Sequence, residues 1–438
     1  MSLPMKLRLW LLLSLLVSAT AWLYTRRILV PWADYMEAER ASLTQMGDLY
    51  PRWVGTRDLL LRGLNPYGPE VSHEIQMAYY GHIVTQDSQA AGHKVIDEQR
   101  FAYPIYVVFL MAPTIYADFS TVQRWAPFVL GLLTALSVLL CLDILHWYPP
   151  WEAVTAIVLF TISSPQVVQG MRHQQLALVV GFLLIAGAWC IDKNHLVTAG
   201  ALLAVSTIKP QMVLLPLCWF LVWSMGNWPK RWRLLAGFLA MLAALFAGGE
   251  LLLRGWLGYF LDGAMAYRRY FPTTSVLRIA LGDTLGEILG GFIVIALLVH
   301  AWRNRKADGD SPRFASTLAA FFMGAILAFP LLTPFNQVML IFPVMLILHN
   351  WKALPRFPRV VFIVIMSWPA IISSTLLLFP PRLHSPSQLP LLPSFLVSFF
   401  PLILPLLLMT VTTTMTMTRG GKTDKQSLSS ADSTPATV

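Results

Sequence analysis

Between Tyr103 and Ala117 the chain reads YPIYVVFLMAPTIYA, and whether this run crosses a bilayer decides the topology of everything that follows it. The run is apolar but short, and Pro104 and Pro113 interrupt it, which suits a re-entrant or interfacial piece better than a crossing. Charge gives the same reading. If the run does not cross, the segments holding Lys230/Arg231/Arg233, Arg303/Arg305/Lys306/Arg313, Lys352/Arg356/Arg359 and Arg419/Lys422/Lys425 all fall on one side. Lys6 and Arg8 join them there, as the positive-inside rule asks. Counting a crossing at 103–117 scrambles that pattern.

Working outward, apolar runs at 7–25, 124–146, 151–168, 174–191, 196–208, 211–226, 232–253, 285–302, 314–332, 335–350, 359–379 and 391–415 read as about twelve spans with both ends cytoplasmic. The expected fold class is therefore all-α, a polytopic membrane protein of about twelve transmembrane helices. A single membrane domain would cover 1–415, its long first exoplasmic loop at 26–103 carrying interfacial helices. The tail at 416–438 is rich in Thr, Ser, Gly and Lys and reads as disordered. The apolar run after Lys6 and Arg8 resembles a secretory signal, but apolarity resumes through Trp22–Tyr24 and an uncleaved first span fits better.

Composition agrees. Of 438 residues 56% are hydrophobic and only 12% charged, and the mean hydropathy is +0.61, which excludes a soluble domain. The net charge of +10 is distributed by topology, and no Lys/Arg-rich run interleaved with aromatics points to nucleic acid. Cys141, Cys190 and Cys218 lie in apolar runs and form neither a disulfide framework nor a metal motif.

The first polar segment carries the candidate chemistry. Asp48 precedes a short helix in which Pro51 fits the first turn, Gly63 the position past the last, and Asn65-Pro66-Tyr67-Gly68 a turn. Leu49, Trp53, Leu60 and Leu61 give that helix a greasy side suited to a membrane surface. Asp48, in the company of Arg52, Arg57, Asn65 and Tyr67, is the candidate general base for a sugar hydroxyl; a cap for the helix dipole is the plain alternative. Asp58 could be the base instead, but mid-helix beside Arg57 and Arg62 a surface ion pair accounts for it. His73, Glu74, His82, Asp87, His93, Asp97 and Glu98 lack metal-ligand spacing and read as solvated.

Three further polar places stand out between apolar runs. In the loop Gln169–Gln175, Gln174 is suited to sugar hydroxyls and Arg172 or His173 to a phosphate. At Ile208-Lys209-Pro210-Gln211 a lysine falls on the exoplasmic side, where an anionic lipid phosphate is its natural partner. In the loop 254–284, Arg268, Arg269 and Arg278 either clamp a lipid-carrier phosphate or touch anionic headgroups, with Asp283 and Glu287 able to balance them.

Taken together, Asp48-Leu49-Tyr50, the run Arg57–Tyr67, Phe101-Ala102-Tyr103-Pro104-Ile105, His173-Gln174-Gln175-Leu176 and Lys209-Pro210-Gln211 resemble glycosyltransferase family 87, in the C superfamily of membrane glycosyltransferases (GT-C fold). Ile105 replaces the family's second proline, His173 stands where glycine is usual, and Thr333-Pro334-Phe335-Asn336-Gln337 occupies a late corner where relatives often show an aromatic-histidine pair. The resemblance implies an inverting hexosyltransferase that moves a sugar, commonly mannose, from a polyprenyl-phosphate donor to a lipid or glycan acceptor. The site would lie on the periplasmic face of a bacterial inner membrane, among membrane lipids and without nucleic acid. It implies Asp48 as general base, and Lys209, Arg172, Arg268 and Arg269 on the donor phosphate. Tyr50, Asn65, Tyr67, His173, Gln174 and Gln211 would line the sugar or acceptor site. No cofactor or metal is expected, since a monophosphate does not demand a divalent ion. The rival class is a transporter or flippase, which would favour paired repeats with interrupted spans; no two halves of this sequence mirror each other.

Overall fold

The computed structural model describes residues 5–39, 46–84, 99–270, 274–384, 387–393 and 399–410, the side chains of 5–6, 37–39 and 266–270 excepted. Among these the chain is helical, with no strand. The first helix does not stop where Arg26 and Arg27 suggest. Met5–Tyr24 passes through a π-helical turn at Thr25–Leu29 into Val30–Glu39, and Leu7–Met36 is long and apolar enough to cross a bilayer. The basic pair is accommodated because Arg26 lies over the Trp22 ring at 5.8 Å, while Ile28, Leu29, Trp32 and Ala33 are buried beyond it. The first polar segment therefore begins later than residue 26.

Phe119–Ile144, Trp228–Leu252, Asp283–Asn304 and Arg356–Leu378 are the other helices of spanning length, which makes five among the described residues. A sixth arises if Trp151–Ile162 and Pro165–Arg172, bent by 59° at their junction, count as one broken span. The straight span read at 151–168 is thus corrected. Ser163 and Ser164 end the first helix, and Pro165, which lacks an N–H, opens the second. The remaining apolar runs of the expected twelve form shorter helices, among them Ala177–Asp192, Leu196–Ser206, Pro210–Met225 and Pro312–Ala328. At 1.5 Å per residue the eleven of Leu196–Ser206 rise only about 16 Å. Apolarity records burial as well as contact with lipid, so an apolar run need not form a helix of spanning length: Ala199, Leu203 and Ala204 are wholly enclosed by protein. The run 103–117 is a short helix, Val107–Met111, followed by a 3-10 turn.

Leu196–Ser206 and Trp228–Leu252 cross through their backbones. A Cβ at Gly200 would stand 2.1 Å from the Leu234 carbonyl, and one at Gly237 2.3 Å from that of Val197. At the far end of Pro210–Met225 the buried Arg231 gathers three segments. It donates to the carbonyls of Trp223 (3.1 Å), Arg305 (2.8 Å) and Ala307 (2.8 Å), with its guanidinium 4.0 Å from the Trp223 ring.

The first polar segment forms two helices, Tyr50–Arg62 and Pro69–Tyr80. Gly63 ends the first at φ 66°, its N–H reaching Leu59 and that of Leu64 reaching Asp58. The greasy side divides: Leu49 and Trp53 are buried against protein, whereas Leu60 and Leu61 stay exposed at the free end. Residues 85–98, including Asp87, His93, Asp97 and Glu98, and the tail at 416–438 lie outside the described residues.

Candidate active site

Asp48 lies in the turn before Tyr50–Arg62, half-buried, and nothing in the helix start uses its carboxylate: Leu49 occupies the cap position, with no side-chain cap. Its main chain is fixed instead. The Asp48 amide donates to the His173 carbonyl at 2.9 Å, and the Tyr79 hydroxyl donates to the Gly47 carbonyl at 2.8 Å. Gly47 is required by close approach, because a Cβ there would stand 2.3 Å from Gln174 Oε1. Gln174 sits beneath it, 5% exposed, with a left-handed φ of 49° and Oε1 without a hydrogen-bond donor.

The same turn brings in the lysine corner. Gln175 Oε1 accepts from Lys209 Nζ at 3.3 Å, and Nζ also lies 5.0 Å from the Phe335 ring centroid. Lys209 is 5% exposed, and among the described residues no carboxylate pairs with it directly. Burial pushes its amine down to about 7; the Asp48 charge opposes this and the Arg52 charge adds to it. Those two opposed influences place Asp48, Arg52 and Lys209 in one electrostatic neighbourhood. Burial likewise holds the His173 imidazole below its ordinary range, with Asp48 raising it and Arg172 lowering it further. The His173 ring is 6.4 Å from that of Phe335, so the late corner Thr333–Gln337 also belongs to the pocket. There Asn336 is buried, with Oδ1 unaccompanied by a donor.

Arg52, one turn on from Asp48, donates to the Asp48 carbonyl and lies 4.3 Å from the Tyr103 ring centroid. The Tyr103 carbonyl in turn accepts from the Tyr67 hydroxyl at 2.6 Å. Asn65 shapes the turn behind: its Oδ1 accepts from the Tyr67 amide at 3.0 Å. The Asn-Pro-Tyr and Tyr-Pro segments are therefore supports for the pocket wall.

The structure thus brings together Asp48, Arg172, His173, Gln174 and Lys209, with Tyr67 and Asn65 behind them. Tyr50 is committed elsewhere, in an aromatic cluster with Phe119 (4.9 Å) and Tyr79 (5.9 Å). Gln211 is exposed on the first turn of Pro210–Met225. Arg57 is exposed and lies over Trp53 at 5.3 Å. The side chains of Arg268 and Arg269 lie outside the described residues. Arg278 is engaged by Asp283 (2.7 Å) and Glu287 (3.1 Å). Asp58 is not a surface group: it is 3% exposed and bonded by Arg62 at 3.0 Å, and burial pushes its carboxyl up against that bond. Arg62 also holds Glu74 at 2.9 Å. Sequence reasoning missed Gln175 and Phe335 as neighbours of Lys209; the only signal was the polar density of the two corners.

A chain that is helical throughout its described residues, with several helices long and apolar enough to cross a bilayer, defines a class, that of polytopic membrane proteins. The chain matches glycosyltransferase family 87 over residues 101–330, more than half of its 438, and belongs to that family. It is a membrane glycosyltransferase. The match takes in Tyr103, the glutamine turn and the lysine corner, whereas Asp48 precedes it. No curated protein and no solved structure matches the chain.

Proposed function

We propose that this protein is an inverting transferase that moves a sugar, mannose in the first instance, from a polyprenyl-phosphate donor to a lipid or glycan acceptor. On this reading the reaction takes place at the exoplasmic face of a bacterial inner membrane. Asp48 takes the proton of the attacking hydroxyl as that oxygen bonds to the anomeric carbon. The bond from that carbon to the phosphate oxygen breaks on the opposite side, and its electron pair leaves with the lipid phosphate. Lys209 and Arg172, joined by Arg268 and Arg269, receive the growing charge. Gln174 and His173 face the sugar or acceptor.

The observation that carries this reading is the juxtaposition of an uncapped, half-buried Asp48 with a buried Lys209 whose direct partner is a neutral amide. A buried ammonium held only by an amide is costly, and an anion in the pocket removes that cost. The topology of about twelve crossings with both ends cytoplasmic belongs to the same proposal. The test is direct. Purified protein given polyprenyl-phosphate-mannose and acceptor should release polyprenyl phosphate and glycosylate the acceptor with inversion. Retention of configuration, or sugar taken only from a nucleotide donor, would overturn the proposal.

A further inference from the structure

The guanidinium of Arg52 has a position that the scheme above does not use. It is fixed on two sides: Nη1 donates to the Asp48 carbonyl, and the guanidinium lies over the Tyr103 ring, 4.3 Å from its centroid. Tyr103 is itself only 7% exposed and tied by its carbonyl to Tyr67. The shelf is therefore a buried ring, backed by the half-buried Tyr67 and covered by the half-buried Arg52, both from a segment far from Tyr103 in the chain. The shelf lies on the Asp48 side of the pocket, and the charge it carries is felt at Lys209.

We infer that Arg52, shelved on Tyr103, is a further cation for the donor phosphate beside Lys209 and Arg172, with Tyr103 as its positioning residue. The inference rests on the reading of the pocket as a lipid-phosphate-sugar site. Charge accounting supports it. The donor is a phosphodiester with one negative charge, and the leaving group is a monoester that approaches two, since its second pKa is about 6. Lys209, its amine lowered by burial to about 7, is fully charged only once the anion is bound, so a permanently ionised group beside it answers the charge that grows as the bond breaks. An arginine stays charged throughout, and its planar fork matches phosphate oxygens in a way an ammonium does not. Stacking on an aromatic face holds that fork in one plane without removing its charge. Because the extra charge appears only as the bond breaks, Arg52 should act more on turnover than on donor binding.

The experiment uses the full-length protein in detergent and four variants, Arg52→Gln, Arg52→Lys, Tyr103→Phe and Tyr103→Leu. Turnover, donor KM, and inhibition by a short prenyl phosphate and by the matching prenyl alcohol are measured for each. Arg52→Gln should lower kcat about a hundredfold with KM changed less than threefold, and should weaken inhibition by the phosphate but not by the alcohol. Arg52→Lys should recover only part of this. Tyr103→Phe, which keeps the face, should stay within about threefold of the native enzyme. Tyr103→Leu, which removes the face, should lose about tenfold in kcat and in phosphate inhibition. Equal loss of phosphate and alcohol inhibition, or kcat unaltered in Arg52→Gln, overturns the inference. Asp48→Asn, run alongside, separates the two claims: an inactive Asp48→Asn with a fully active Arg52→Gln leaves the base assignment standing and removes this one. The reverse pattern removes the base and keeps the added cation.

Discussion

The amide of Asp48 donates to the carbonyl of His173 at 2.9 Å, so the position of the candidate base is set by main chain rather than by its own side chain. Replacing the carboxylate should therefore leave the fold alone. Asp48→Asn is expected to keep the native thermal melting point within about 1 °C and donor KM within threefold, while turnover falls by about 10²–10⁴. Radiolabelled sugar transfer at saturating donor measures it, and turnover within threefold of the native enzyme would remove Asp48 from the base role.

Gly47 tests how closely the first loop and the glutamine turn must fit. A methyl group there would stand 2.3 Å from Gln174 Oε1, the end of a side chain that can shift. Gly47→Ala should cost only about 1–2 kcal/mol of stability while displacing Gln174 and lowering turnover about tenfold. Native activity in Gly47→Ala would show that the placement of Gln174 is immaterial.

Gly200 is the opposite case. Its neighbour at 2.1 Å is the Leu234 backbone carbonyl, which cannot swing aside. Gly200→Ala must separate two helices and should cost about 3 kcal/mol or more, and Gly200→Leu should yield aggregated protein. Monodispersity on gel filtration and the melting temperature report both; a Gly200→Leu protein as stable as the parent would refute the backbone crossing.

Lys209 makes stability depend on pH with a definite sign. Burial lowers its amine from 10.5 to about 7, so between those values the unfolded chain holds a proton that the folded protein lacks. Stability must then rise with pH across that window, and below about pH 7 the full cost of the buried charge is present. Lys209→Met should abolish the slope and melt higher than the native protein at pH 6. Melting curves at pH 6, 7.5 and 9 decide it, and parallel slopes in the two proteins would contradict the assignment.

The same amine should report ligand binding. An anion in the pocket favours its charged form, so binding of a short prenyl phosphate at pH 8 should draw up to one proton from solution, and affinity should weaken as pH rises beyond about 7. Calorimetry in two buffers of different ionisation enthalpy measures the uptake. Lys209→Met should show none, and equal uptake in the two proteins would assign the proton elsewhere.

Much of the pocket was legible because its parts interrupt apolar sequence. Asp48, the glutamine turn and Lys209 stand out against their surroundings, and a polar group there needs a partner or a purpose. What could not be read was which polar groups face one another. Tyr50 carries the same motif signal as Asp48, yet its ring turns into the Trp53, Tyr79 and Phe119 cluster. Arg52 looked like one more neighbour of Asp48, because nothing local ties it to Tyr103. Helix length was hidden for a related reason. Ala199 and Leu203 are as apolar as any lipid-facing residue, and sequence does not distinguish a helix that meets lipid from one that meets other helices. Arg26 and Arg27 misled in the other direction, since a tryptophan one turn back lets the helix run on through them.

The helix Pro210–Met225 has unlike ends. One is riveted where the Arg231 fork grips three carbonyls of two segments; the other carries Lys209, whose ammonium meets the Gln175 amide and the Phe335 ring. Mechanically this is a beam clamped at its base, whose tip travels furthest for a given tilt. A lesion at the rivet therefore reaches the chemistry as an angular error at the tip, with every residue that touches substrate left unchanged.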